Sequence, residues 1–263
     1  MGAAIGASVS VQQHSHGTIR RGGPVLVDLS RNRVLCSACM LHEHCLGDGL
    51  EPQALSQIDQ LITGRTRLRK GDTLFRAGER FTSLYAIRSG SFKTISLTED
   101  GQDQVAGYHM SGEIIGTDGI SNDHYACQAV ALEDTEVCVM PFDRLETFGR
   151  QNVRFQHNLH RLLSKEIARQ AKVMLLLGTM LAERRLAAFL LDLSERYQAR
   201  GYSSCEFVLR MTREEIGSYL GLKLETVIRL FSRFQRDGLL QVQGRVVKLL
   251  DRPSLKRLVE GSY

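Results

Sequence analysis

The chain has 263 residues, 43% of them hydrophobic and 24% charged, which is enough to bury a sizeable core and too ordinary for a disordered or fibrous protein. Basic residues outnumber acidic ones by 34 to 29, and the excess is local: from Glu183 onward 15 Lys and Arg face 10 Asp and Glu, whereas the first 182 residues hold 19 of each. A polyanion is therefore expected to meet the last third, and a membrane span is not expected, because no apolar run approaches the roughly 18 to 20 residues needed.

Residues 1–33 are rich in Gly, Ser and His, and their arginines follow a weak small-residue stretch instead of preceding an apolar one. That order is wrong for a secretory signal, so the segment reads as a mobile arm of a cytoplasmic protein.

Residues 34–50 contain "CSACMLHEHC", with three of the six cysteines and two of the eight histidines. So few and so unevenly spaced cysteines do not make a secreted disulfide framework. The spacing Cys36-x2-Cys39-x5-Cys45 offers three soft ligands on one short loop, suited to zinc or to an iron-sulfur cluster. A zinc site can close locally through His42 or His44, while a larger cluster can recruit Cys127, Cys138 or Cys205 from a distance. Spacing alone leaves that choice open.

Residues 51–149 begin with "EPQALSQIDQLI", where Leu55, Ile58, Leu61 and Ile62 recur at helical spacing. Short runs such as "SLYAIRSG", "SFKTISL", "QVAGYHM" and "EVCVMPF" follow, separated by glycines. Repeated strands of this kind predict a small antiparallel roll or barrel.

Glycines then nearly vanish, and residues 150–182 predict one long helix. Leu163, Ile167, Gln170, Met174, Leu177 and Leu181 recur in steps of four and three, the seam of a two-helix homodimer interrupted once by a polar residue. His157, His160, Lys165, Arg169 and Lys172 are expected to face water.

Residues 183–263 contain "MTREEIGSYLGLKLETVIRLFSRFQRDGLL". Thr212 and Glu215 form a T-x-x-E capping box, Gly221 breaks the first helix, and Gly238 ends a second that starts near Leu224. Two helices joined at a glycine suggest a helix-turn-helix, and "LLQVQGRVVKLL" reads as a hairpin wing. In the second helix Val227, Leu230, Phe231 and Phe234 face inward. Glu225 and Arg229 point outward, one turn apart, with Ile228 on the flank. Such side chains can read a G·C pair in the major groove of double-stranded DNA.

Taken together, C-x2-C-x5-C, "LYAIRSG", "VCVMPF", "ERRLAAFLLDLS" and "MTREEIGSYLGLKLETVIRL" resemble the FNR family of oxygen-responsive regulators, within the cyclic-AMP receptor protein superfamily. The resemblance runs from about residue 34 to 260. It implies an α+β fold: an N-terminal β-roll sensory domain like those that bind cyclic nucleotides, a long dimerisation helix, and a C-terminal winged helix-turn-helix. It also implies that Cys36, Cys39, Cys45 and Cys138 bind an oxygen-labile [4Fe-4S] cluster, and that Glu225 and Arg229 read a palindrome of the TTGAT-N4-ATCAA type. Under low oxygen the cluster would tie the loop to the roll, favour dimers and promote DNA binding. By the same analogy, the loop at residues 98–104 is a candidate contact for RNA polymerase.

Two positions depart from the family pattern. Ile228 stands where family members commonly carry Ser, and Gln170 where they can carry an acidic residue. A cyclic nucleotide is not expected as ligand, because "GTDGISNDHYACQAVAL" lacks the arginine that nucleotide-binding relatives use to hold the phosphate. Nor is an enzyme or a ferredoxin expected, since there is no nucleophile and base constellation and no self-contained four-cysteine run.

Overall fold

The structure, a computed structural model, describes residues 25–27, 35–97 and 103–261. Residues 98–102 of the expected polymerase-contact loop lie outside the described residues, as does the N-terminal arm apart from three residues. Those three form β1 (Val25–Val27), which pairs antiparallel with β2 (Gly64–Leu68). The arm is thus not wholly separate from the roll.

After the cysteine loop comes α1 (Pro52–Leu61), which buries Leu55 and Ile58 as the periodicity predicts. The roll consists of β2, β3 (Thr73–Phe75), β4 (Ser83–Ser89), β5 (Ser91–Leu97), β6 (Asp103–Met110), β7 (Ile114–Ile115), β8 (Gln128–Ala131) and β9 (Thr135–Pro141). One sheet has the order β1-β2-β9-β4-β7 and the other β3-β8-β5-β6. Leu84, Ile87, Phe92, Ala129, Val137 and Met140 close the space between them.

The chain changes sheets between β4 and β5 at Gly90, whose φ is 85°. A Cβ there would lie 2.4 Å from Thr135 Cγ2 and 2.9 Å from the Asp134 carbonyl oxygen. Only glycine fits that corner.

The single helix expected over residues 150–182 is divided. Arg150 belongs to α2 (Phe142–Gln151), and α3 (Val153–Thr179) starts anew where the Asn152 side chain accepts from the Phe155 amide at 2.9 Å, a local N-cap. At the other end Met180 is extended, and Leu181 caps the next helix, α4 (Ala182–Ala199), so Leu181 is not on the seam helix. Arg185 holds this break by donating to the carbonyls of Leu177 (2.8 Å), Met180 (2.9 Å) and Leu220 (3.1 Å).

Of the predicted seam, Ile167 and Met174 are 70% and 72% exposed and Gln170 is exposed, while Leu163 and Leu177 are half-buried. Leu159 and Leu162, nearer the start of the helix, pack on the roll. An apolar stripe is thus left exposed along one face of this 27-residue helix.

Arg169 does not face water as expected. It donates to the Tyr108 carbonyl (2.7 Å), to Glu166 (2.8 Å) and to His109 Nδ1 (3.2 Å). Its partners at 108 and 109 are some sixty positions away, beyond the reach of helical periodicity.

The C-terminal part contains β10 (Glu206–Val208), α5 (Arg213–Leu220), α6 (Leu224–Arg236), β11 (Leu240–Gln243), β12 (Val246–Leu249) and α7 (Arg252–Glu260). β11 and β12 pair as the predicted wing, joined through Gln243 and Val246. Its core, built on Leu186, Leu190, Ile216 and Phe234, also takes in Val105, Tyr108, Met110 and Leu132 of the roll. The contact continues through Lys93 to Glu215 at 2.5 Å and the Val105 amide to Ser218 Oγ at 2.9 Å. No helix among the described residues is long and apolar enough to cross a membrane.

Candidate metal centre and nucleic-acid interface

Cys36 opens a 3-10 turn (Cys36–Ala38), and its amide donates to the carboxylate of Asp59 on α1. The Cys39 amide returns to the Cys36 carbonyl at 3.1 Å, and a second 3-10 turn (His42–His44) leads to Cys45. Short hydrogen-bonded turns thus face the thiols toward the roll.

There they meet Cys138. It sits on β9, the middle strand of its sheet, with Arg65 of β2 opposite on one side and Ala86 of β4 on the other. Cys36, Cys39, Cys45 and Cys138 line one pocket whose remaining walls are mainly apolar, among them Leu46, Ile58, Ile62 and Met140. Cys127 lies elsewhere, 3.1 Å from Ser96 Oγ, and Cys205 is exposed. His44 faces a neighbouring cavity beside Gly112 and Glu113. Of the fourth ligands that spacing left open, only Cys138 among the described side chains shares the pocket.

Burial dominates the protonation of these thiols. It pushes Cys45 up to about 12, with the Cys138 and Cys39 sulfurs adding to the rise, and it raises Cys36 further still. Cys138 is also raised by burial, opposed by the guanidinium of Arg65. Metal binding here has to displace protons, so it strengthens as pH rises.

Among the described residues, no three Cys, His, Asp or Glu side chains converge closely enough to hold a single metal ion. All four thiols border one pocket with mainly apolar walls. That donor set suits a cluster in which each thiolate binds a different iron.

Positive charge collects beside this pocket. Glu136, two residues before Cys138, pairs with Arg88 (2.5 Å), Arg67 (3.0 Å) and Arg65 (3.8 Å). Their sequence positions gave no hint of this, because strand register brings them together.

The turn after Gly116 is closed by an acid. Asp118 Oδ2 accepts from the amides of Ala126 (2.8 Å) and Cys127 (2.9 Å).

The helix pair α5–α6 has the geometry its sequence predicts. Thr212 and Glu215 exchange both capping-box hydrogen bonds, and Gly221 takes the left-handed conformation at φ 61°. A Cβ on Gly217 would lie 2.6 Å from the Leu222 carbonyl oxygen, so a glycine lets the turn close on α5. Arg213 stacks over the Phe231 ring at 3.6 Å and joins the two helices.

Val227, Leu230, Phe231 and Phe234 are buried, while Glu225, Ile228, Arg229, Ser232 and Arg236 are exposed on the other face. Glu225 and Arg229 form no ion pair with each other within 4.0 Å among the described residues. Both are free to meet a ligand. Ile228, 49% exposed, puts an apolar patch beside them.

A family model described as a cyclic nucleotide-binding domain matches residues 65–152, and one described as a Crp-like helix-turn-helix domain matches residues 184–258. The chain is 46% identical over 233 residues to the transcriptional regulatory protein btr of Bordetella pertussis, covering 89% of this chain and 96% of that one. It is 41% identical to the transcriptional activator protein FnrA of Stutzerimonas stutzeri, covering 86% and 93% of the two chains. Identity to the fumarate and nitrate reduction regulatory protein of Escherichia coli is 40%, covering 85% and 89%. The solved structure of FixK2 from Bradyrhizobium japonicum superposes with a TM-score of 0.68 at 30% identity, over 74% of this chain and 96% of that one.

Proposed function

The chain belongs to the Crp/FNR family of DNA-binding transcription regulators, whose members act as dimers and are not enzymes, and from that premise we propose that it is an oxygen-responsive member. In this reading Cys36, Cys39, Cys45 and Cys138 hold a [4Fe-4S] cluster under low oxygen. The observation that carries it is the single pocket lined by all four thiols, drawn from a terminal loop and a central strand of the roll. When bound, an oxygen-labile cluster supplies a crosslink between loop and strand that air removes.

The residues of the chain do the rest. Asp59 holds the start of the loop against α1, and the stripe of Ile167 and Met174 meets a second copy across the seam. Gln170, whose amide donates to Glu166 at 2.8 Å, puts no like charges across that seam, so the off-state is weaker than with paired carboxylates. Two copies of α6 then reach successive major grooves about 34 Å apart. Contact with RNA polymerase belongs to the same proposal.

Iron and acid-labile sulfide in anaerobically purified protein test this directly. About four of each per chain is the expected result; a colourless protein with one zinc would overturn it.

In the same proposal, Glu225 and Arg229, both exposed on α6, read the inner part of a TTGAT-N4-ATCAA-type palindrome. Arg229→Ala is expected to weaken binding to such a site by about 1–3 kcal/mol and to relax the preference at the base it contacts. Competition between sites mutated one position at a time measures both effects.

Ile228 lacks a hydroxyl but can touch a thymine methyl. Ile228→Ser is expected to change outer half-site preference by up to about tenfold while leaving inner positions unaltered. Selection from a randomised half-site would display the shift.

A further inference from the structure

We infer that Asn158 and Arg161 of α3 relay the state of the cysteine loop to the dimerisation helix, an inference that rests on the cluster reading above. Leu46 follows Cys45 directly and is 1% exposed in the core of the roll. Its carbonyl accepts from Asn158 Nδ2 at 3.1 Å, and the carbonyl of Asp48 accepts from the same nitrogen at 2.6 Å. The Asp48 carboxylate pairs with Arg161. Gly49 takes the left-handed φ of 63°, and the Arg154 guanidinium of α3 lies against its backbone, 2.5 Å from where a Cβ would stand.

Residues 154, 158 and 161 fall in steps of four and three and share one helix face. The other face carries Ile167, Gln170 and Met174. One rigid helix is thus held by the tail of the cysteine loop on one side and offers the dimer stripe on the other. From Asn158 to Ile167 the rise is about 14 Å, less than three helical turns.

Packing alone does not account for an asparagine here. Asn158 is 1% exposed, sits inside a helix where asparagine is a poor former, and leaves its Oδ1 without a hydrogen-bond partner among the described residues. An unsatisfied buried oxygen is a cost that an apolar residue would avoid. What asparagine supplies in return is two N–H donors aimed at two successive anchor points of the loop. When the loop shifts, those carbonyls move and α3 loses its hold; by linkage, dimerisation must also favour the ordered loop.

The test compares full-length wild type, Asn158→Leu and Arg161→Ala, all purified anaerobically. Iron content and the dimer dissociation constant are measured on each before and after air, the latter by sedimentation. Asn158→Leu is expected to keep the iron content of wild type while its anaerobic dimer weakens by roughly 5- to 150-fold, the span of ordinary allosteric couplings, and responds little to air. Arg161→Ala, at a half-exposed position, is expected to shift the same way by less.

Iron-loaded variants that dimerise and respond to air as wild type does would overturn the relay and leave the cluster reading standing. Iron content falling in step with dimerisation would also overturn it, because the contacts would then only shape the loop. If Asn158→Leu does not fold, Arg161→Ala decides by the same two readouts. A wild type without iron would bring down the cluster reading and the relay with it.

Discussion

Cys138→Ala, purified without oxygen, is expected to fall from about four irons per chain to fewer than about one. Its DNA binding should match that of aerated wild type. The expectation follows from where the residue sits. Cys36, Cys39 and Cys45 share a short loop of two 3-10 turns, whereas Cys138 lies on the middle strand of its sheet, fixed on both sides by β2 and β4. Of the thiols lining the pocket, it is the one on the roll.

The fold itself should tolerate the change. Opposite Cys138 stands Ala86, and removing one partly buried sulfur costs about 1 kcal/mol, the ordinary size for such a substitution. Cys127→Ala and Cys205→Ala serve as controls, since neither residue lines the pocket. Both should keep wild-type iron. Metal analysis of the three variants, with circular dichroism to verify folding, separates loss of a ligand from loss of structure.

Glu113→Gln is expected to have the largest effect on stability. Glu113, between β6 and β7, accepts from Arg196 of α4 at 2.7 Å and from Arg200, the residue that caps the end of α4, at 2.6 Å. Arg196 also donates to the Tyr108 carbonyl (2.8 Å) and Arg200 to the Ser111 carbonyl (2.6 Å). This carboxylate is therefore one of the ties between the DNA-binding part and the roll, and its loss leaves Arg200 without an acidic partner within 4.0 Å among the described residues and Arg196 with Asp192 alone, at 3.3 Å. Such a loss costs about 3 kcal/mol, which for a chain of this size lowers the thermal midpoint by roughly 6–12 °C. The core shared between the two parts predicts a single calorimetric transition in wild type.

The dependence on pH has a definite sign. Burial alone would raise the Glu113 carboxyl, but Arg196, Arg169 and Arg200 outweigh it and hold it at about 2, below the 4.5 of a free glutamate. The stability this contributes is complete above pH 4.5 and is lost as pH falls toward 2. His109 adds to the same trend: burial, then Arg169, lowers it to about 3, so below pH 6.5 the unfolded chain takes up a proton that the folded one refuses. Wild type should lose stability steadily on acidification from pH 6.5. Glu113→Gln should lack the component below 4.5, so its deficit relative to wild type shrinks as acid is added. A deficit that stays constant down to pH 3 would show that the arginines do not depend on that carboxylate.

Sequence alone carried much of this molecule where the signals are local. The helix-turn-helix was legible residue by residue, because a capping box, a left-handed glycine and the inward spacing of Val227, Leu230, Phe231 and Phe234 all act within one or two turns. The roll and wing followed from strand length and glycine punctuation.

Non-local features were harder to read. Apolar spacing continued through Leu181 although the helix ends at Thr179, since periodicity does not register the grip of Arg185 on three carbonyls. The start of α3 had a usable signal in Asn152, an N-cap residue lying just before an apolar-periodic run. Arg169 looked solvated because Tyr108 and His109 come from a different sheet strand. At the cysteine site, spacing identified three thiols and left the fourth open. Pairing of β9 with β2 and β4 brings Cys138 to the loop, and that register is not written in the ten residues around it. Asn158 was invisible for the same reason, its partners being backbone carbonyls more than a hundred positions away.

The proposed coupling of oxygen to DNA binding through four cysteines is tested by the affinity of anaerobic wild-type protein for a TTGAT-N4-ATCAA-type duplex, measured before and after exposure to air alongside Cys138→Ala. Tight binding is expected only from the unexposed wild type, with the other three samples weak and alike. Equal binding in all four would contradict it.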